Sequence, residues 1–295
     1  MARIAIVGSG VVGQATGKGF ISKGYVVTFI DVKEDVINQL RRQCYGALSP
    51  SELNLVDQDV VFVSVCTPTV NGKVVLDHLA DACKTIGKAL KPAIEKRPEK
   101  YRVVAIRSTA IPGTLDNVVI PALEKNSGKK AGQDFGVAVN PEYLREKQAE
   151  RDFSNPWIVV IGTGDDATWK ILERLYRPFG CPIHRLSIKE AEFQKYAHNL
   201  FNATKISFFN EMRLVAGAIG LDPSELFGLV AQSAEGMWHP AYGIRNIGPF
   251  AGSCLPKDTA AFLTFAKERG IQAPLLAAVI EVNEMLKRDK GGKIG

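Results

Sequence analysis

The chain has 295 residues, 46% of them hydrophobic and 23% charged, with a net charge of +6. At roughly 100–200 residues per domain that length fits one large or two ordinary domains, and the apolar fraction excludes a disordered chain. No run approaches the roughly 20 apolar residues of a membrane span, and residues 1–8 are too short an apolar stretch for a secretory signal, so a cytosolic protein without membrane contact is expected.

In chain order, residues 4–7 form a short apolar run suited to a strand buried on both faces. Gly8-Ser9-Gly10-Val11-Val12-Gly13 follows, then a helical stretch to about Lys23, then a second apolar run over 26–30 ending at Asp31. Strand, glycine loop, helix and distal acid together make a dinucleotide fingerprint. Gly8 permits the tight turn, Gly10 lets backbone approach a pyrophosphate, and Gly13 lets helix and strand pack closely. Val11 and Val12 open the helix, whose free N–H groups face the phosphates. Asp31 would accept the adenosine ribose hydroxyls and repel a 2′-phosphate, which favours NAD over NADP; Lys33 weakens this only slightly.

Further strand candidates lie at 60–65, 103–106, 135–139, 158–161 and 182–186, with helical patterns between most of them. The expected fold is α/β: a Rossmann-like doubly wound sheet over 1–187, with surface loops at 92–100 and 128–132. From 188 to 295 no strand pattern returns. Helices are expected at 188–220, 222–234, 256–269 and 273–288, the first unusually long, in an all-helical second domain.

The five cysteines (44, 66, 83, 181 and 254) are odd in number and contain no CxxC pair, so neither disulfides nor a metal site are expected. Cys44, Cys66, Cys83 and Cys181 read as small buried hydrophobes. The densest basic cluster, Lys287, Arg288, Lys290 and Lys293, lacks interleaved aromatics and reads as a solvated tail, not a nucleic-acid arm.

Four segments carry polar groups suited to chemistry. Residues 107–114 (Arg-Ser-Thr-Ala-Ile-Pro-Gly-Thr) follow a strand, at the sheet edge where ligands bind, although Thr109 or Thr114 would also suit a helix N-cap. In Asn140-Pro141-Glu142-Tyr143-Leu144-Arg145-Glu146, a helical turn would bring Glu142 and Glu146 to one face, suiting acid–base work or merely a helix start. Lys195 and Asn199, also i and i+4, could donate jointly to an oxyanion or form an ordinary polar face. Finally, Gly252-Ser253-Cys254-Leu255-Pro256-Lys257-Asp258 puts a cysteine at a helix start, where the dipole and Lys257 favour thiolate and Asp258 can handle a proton. A buried structural cysteine is the alternative.

The ordered combination resembles the UDP-glucose/GDP-mannose dehydrogenase family. Gly8–Gly13 is similar to its cofactor loop, and Ser108-Thr109 with Pro112-Gly113-Thr114 to its S-T-x-x-x-G-T segment. Residues 140–146 resemble N-P-E-F-L-x-E with Tyr143 for Phe, 195–199 resemble K-x-x-x-N, and 252–258 resemble G-S-C-x-P-K-D. The resemblance implies NAD-dependent, four-electron oxidation of a nucleotide sugar, UDP-glucose in the first place, at its C6 alcohol. Cys254 would be the nucleophile, passing through thiohemiacetal and thioester. Lys195 and Asn199 would stabilise oxyanions, Thr109 and Glu142 would position water, and Asp258 would move protons. Thr67, Pro68, Thr109, Glu146 and Lys257 would lie beside the cofactor. Glu142, Tyr143, Leu144, Lys195, Asn199, Tyr242, Arg245 and Gly252 would contact substrate. The long helix would join two copies into a homodimer.

Several positions depart from the family pattern. Ala251 replaces the first glycine of G-G-S-C, Pro156-Trp157-Ile158 lacks an arginine, and Trp238 stands where another arginine is usual. The family normally continues into a third, Rossmann-like domain that holds the base, so the chain reads as shortened to two domains. A β-hydroxyacid or 6-phosphogluconate-type dehydrogenase and a non-catalytic NAD-binding remnant remain alternative readings.

Overall fold

The computed structural model describes residues 1–71, 73–240, 242–243, 249–252 and 255–288. Two compact units result, Met1–His198 and Asn199–Gly295.

The first unit opens with β1 (Arg3–Val7), α1 (Val11–Ser22), β2 (Val26–Ile30), α2 (Glu34–Arg42) and a short β3 (Gly46–Leu48). β4 (Val60–Val63) follows, then a two-residue hairpin, β5 (Thr69–Val70) with β6 (Lys73–Val74), and α3 (Asp77–Lys96). After β7 (Arg102–Ile106) a wide π turn (Leu115–Val119) leads into α4 (Ile120–Ser127). β8 (Phe135–Val139), α5 (Ala149–Ser154), β9 (Val159–Thr163), α6 (Asp166–Tyr176) and β10 (Ile183–Leu186) complete the sheet. α7 (Ile188–Ala218), 31 residues long, begins in this unit and continues into the second.

Eight strands order as β10-β9-β8-β7-β4-β1-β2-β3, with every pairing parallel except β8 against β9. Central strands such as β4 and β7 are buried throughout, because helices cover both faces and no water-facing position remains for a polar side chain. One face packs Val61, Val104 and Leu115 beneath α3 and α4; the other packs Phe20, Phe62 and Tyr176 among α1, α5 and α6. At about 25 cal/mol per Å² of buried apolar surface these two layers supply the main stabilisation. Strand order reverses between β1 and β4, and a doubly wound sheet opens a ligand crevice at such a point.

One expectation is overturned, and two small features are added. Residues 92–96 belong to α3, not to a loop: Pro92 costs the helix one N–H bond, yet Leu90, Ala93 and Ile94 are buried around it and hold the final turn. The strand β3 and the hairpin β5–β6 were not anticipated, because three-residue and two-residue strands carry no readable period.

In the second unit α7 is followed by α8 (Ser224–Ser233), a single turn α9 (Glu235–Trp238), α10 (Leu255–Glu268) and α11 (Pro274–Arg288). Glu211, itself buried, accepts the Leu275 and Leu276 amides at 2.7 and 3.0 Å and so caps α11. No described helix is long and apolar enough to cross a membrane.

Candidate active site

A cleft of about 690 Å³ lies over the carboxyl ends of β1, β2, β4 and β7, lined among others by Gly8, Gly10, Val11, Val12, Asp31, Lys33, Thr67, Thr109 and Glu142. Gly8 adopts φ +89°, and a Cβ there would stand 2.7 Å from the Ser64 carbonyl oxygen. A Cβ on Gly13 would stand 1.9 Å from the Gly8 oxygen, so α1 packs against its own turn as closely as two backbones allow. Gly10 caps α1 without a side-chain hydrogen bond, and nothing lies within 4 Å of the Cβ it lacks. The first-turn amides therefore face open space, the cradle a pyrophosphate requires. Asp31 accepts the Ser9 amide at 2.7 Å through one oxygen and the Lys33 amide at 2.9 Å through the other. Its carboxylate is thereby fixed at the cleft wall, where lone pairs remain for ribose hydroxyls. These residues fit a bound dinucleotide.

The far end of the cleft is built from three loops. Thr67 Oγ1 donates to the Thr109 carbonyl at 2.7 Å, and Ser108 Oγ to the Val65 carbonyl at 2.7 Å, tying the loops after β4 and β7 together. Pro68 accepts the Val75 amide at 2.7 Å at the base of the hairpin. The third loop carries Glu142. Lys195, 6% exposed on α7, donates to the Glu142 carbonyl and approaches its Oε1 at 3.1 Å. The Tyr143 hydroxyl bonds Gln194; its ring lies 4.9 Å from His198 and beneath the Lys195 amine at 5.3 Å. Burial pushes the Tyr143 phenol up to about 12, so it stays protonated as a donor. Burial first, and the Lys195 charge second, hold the His198 imidazole below its ordinary value. Leu144 packs against the second core layer.

Glu142 and Glu146 do not share a helical face. Residues 141–145 form no helix, because Glu142 Oε2 accepts the Leu144 amide at 2.7 Å, closing a local turn that competes with helix. Glu146 only opens a short 3-10 turn, Glu146–Gln148. Neither threonine caps the helix after β7 through its side chain. Thr114 Oγ1 donates backwards to the Ile111 carbonyl, and the buried Glu192 of α7 takes the Gly113 and Leu115 amides instead. Cys44 and Cys66 are exposed, not buried; Cys44 sits at φ 64° after α2, and Cys66 lines the cleft at the end of β4, where the sheet edge faces solvent. Cys83 is buried, which pushes its thiol up to about 12.

In the second unit Asn199 lies one turn beyond Lys195 along α7 and is exposed. Lys257 and Asp258 pair with each other at 2.5 Å in the first turn of α10. Gly252 takes φ +87°, whereas Ala251 does not enter that region and so tolerates its Cβ. Tyr242 and Trp238 are half exposed. Cys254 and Arg245 lie outside the described residues. Among the described residues no cluster of His, Cys, Asp or Glu has the arrangement of a metal site.

Two residues hold the loops of the site in ways no motif revealed: Glu192 lay outside every segment singled out above, and Arg107 only opened the 107–114 segment. Arg107, 4% exposed, donates to Asn140 Oδ1 at 2.6 Å and Tyr176 Oη at 2.9 Å and lies against the Phe153 ring at 5.3 Å, pinning the start of the Glu142 loop. Glu192 holds the neighbouring loop. A charged residue inside an apolar-flanked strand end or helix face was the available signal for both.

Residues 47–180 match the model for the UDP-glucose/GDP-mannose dehydrogenase family, NAD binding domain, and residues 189–285 the model for its central domain. Residues 3–84 also match an NADP oxidoreductase, coenzyme F420-dependent, model. A GDP-mannose 6-dehydrogenase of Pseudomonas aeruginosa is 37% identical over 95% of this chain and 68% of its own length. The UDP-glucose 6-dehydrogenase of Haloferax volcanii is 30% identical over 95% of this chain and 69% of its own. The crystal structure of a GDP-mannose dehydrogenase ternary complex from P. aeruginosa superposes with a TM-score of 0.89 at 33% identity, covering 97% of this chain and 69% of that one.

Proposed function

The chain belongs to the UDP-glucose/GDP-mannose dehydrogenase family of NAD-dependent enzymes, and on that premise we propose that it oxidises the C6 alcohol of a nucleotide-linked hexose to a carboxylate. One observation carries the reading: the dinucleotide loop, Thr109 and Glu142 line a single cleft, and a buried lysine grips Glu142 at its far end. A simple cofactor-holding module has no physical use for that buried pair.

The chain's own residues divide the work. Gly8, Gly10 and the first turn of α1 would hold the pyrophosphate, Asp31 the adenosine ribose, and the Thr67 and Thr109 loops the other half of the cofactor. NAD supplies a hydride acceptor when bound. Lys195 and Asn199 would donate to the C6 oxygen wherever negative charge develops on it. Cys254 would add as thiolate to the aldehyde carbon, keeping it covalently bound as a thiohemiacetal until the second oxidation gives a thioester. Water, oriented by Thr109 and Glu142, would then release the carboxylate and return the thiol, with Asp258 exchanging protons beside the sulfur. Tyr242, Arg245, Gly252 and Lys257 complete the proposed contacts.

UDP-glucose and GDP-mannose are the candidate substrates. The higher identity to GDP-mannose dehydrogenases moves the first choice from UDP-glucose to GDP-mannose. A homodimer through α7 is part of the proposal; the exposed Phe193, Leu200, Phe201, Ile206 and Leu214 along that helix support it, since a soluble monomer rarely exposes so large an apolar stripe. The free thiols at Cys44, Cys66, Cys83 and Cys181 suit a reducing compartment such as the cytosol. The test is NADH production by the purified chain with NAD and each nucleotide sugar in turn, beside Cys254→Ser. Acid formation that vanishes in the serine variant is expected; undiminished acid formation in that variant removes the thiol mechanism.

A further inference from the structure

Glu192 is 2% exposed, and its carboxylate ends inside the protein with no salt bridge among the described residues. Its oxygens accept the Gly113 amide at 2.5 Å and the Leu115 amide at 2.9 Å. Gly113 holds φ +94°, a conformation that aims its N–H at α7 and that side chains resist. Burying a carboxylate is an expensive way to cap a helix, and a cheap one was at hand in Thr114, whose hydroxyl turns away to Ile111. One turn along the same helix, at i+3, Lys195 reaches Glu142. Thr109, Glu192 and Lys195 line one small cavity of about 10 Å³. The opposite end of the Thr109 loop is already fixed by Thr67.

We propose that Glu192 is a positioning residue: from α7 it locks the 108–114 loop, and with it Thr109, in register with the helix face that presents Lys195 to Glu142. The inference rests on the roles proposed above for Thr109 and Lys195 and adds the device that keeps them in one geometry. Without it the loop retains its Thr67 tether, its far end swings free, and the amine and hydroxyl lose their common frame.

The test compares Glu192→Gln and Glu192→Asp with the wild-type chain, using NAD with GDP-mannose and UDP-glucose. The glutamine variant keeps the shape but turns an NH₂ toward one of the two amides. Its kcat should fall about 100-fold, the size of loss that a displacement of order 1 Å produces, and the Gly113 amide should exchange its hydrogen faster. The aspartate variant, which keeps the charge, should recover part of the rate and carries the same comparison if the glutamine variant does not fold. Faster Gly113 exchange with unchanged kcat would reduce Glu192 to a structural cap and overturn the proposal. Acylation of Lys195 by an amine-reactive ester in the cofactor-free chain decides the matter apart from turnover. Faster labelling in the glutamine variant supports the lock and unchanged labelling overturns it, even if neither sugar is oxidised and the proposed function fails.

Discussion

Removing the Lys195 amine tests the buried pair at the end of the cleft. Lys195 Nζ lies 3.1 Å from Glu142 Oε1, with side-chain exposures of 7% and 15%. At an effective dielectric near 20, that separation gives a gross attraction of about 5 kcal/mol, against which both desolvation costs stand. Lys195→Met leaves Glu142 partly buried with the Leu144 amide as its remaining hydrogen-bond donor among the described residues. The expected loss is about 3 kcal/mol, the low end for breaking a buried pair, because Glu142 retains some water. Glu142→Gln should cost about 2 kcal/mol, since the lysine keeps the Glu142 carbonyl. The double variant strands neither charge, so the two losses should fall short of additivity by about 2 kcal/mol. Urea unfolding followed by tryptophan fluorescence in a Trp238→Phe background would read the first unit alone, through Trp157 and Trp169. Losses that add within about 0.5 kcal/mol would refute the pair as an energetic unit.

Three further outcomes follow from the same geometry. Gly13→Ala places a Cβ 1.9 Å from the Gly8 oxygen, so α1 must retreat from its turn; NAD affinity by calorimetry should drop at least about 10-fold, and unchanged affinity would contradict the cradle. Arg107→Met removes donors from Asn140 and Tyr176, two buried acceptors, and should cost about 2–3 kcal/mol in thermal or urea unfolding, whereas Arg107→Lys should recover part of it. Because burial and Lys195 depress the folded-state His198 pKa, the unfolded chain takes up this proton first as pH falls. His198 therefore contributes stability that is present above about pH 6.5 and declines below it, and His198→Phe should flatten Tm against pH over that window.

Much of the first unit was legible because parallel strands buried on both faces must be short apolar runs, and because the glycine loop admits few residues at its tight points. Gly8 and Gly13 are there for contacts under 3 Å that no Cβ survives. Local hydrogen bonds were not legible. Glu142 folds back on Leu144 and breaks the helical turn that its spacing with Glu146 suggested. Pro92 sits inside α3 because tertiary burial of Ala93 and Ile94 outweighs its lost bond. The roles of Glu192, which no motif singled out, and of Arg107, noted only as the start of the 107–114 segment, were not legible because their partners lie 77–79 and 33–69 residues away in sequence.

The most direct measurement is the yield of NADH per nucleotide sugar consumed, with the product identified by mass spectrometry. The account predicts two NADH for each GDP-mannose or UDP-glucose and a C6 carboxylate as the end product. One NADH per sugar, with an aldehyde or ketone released, would contradict it and leave a single-step alcohol dehydrogenase in its place.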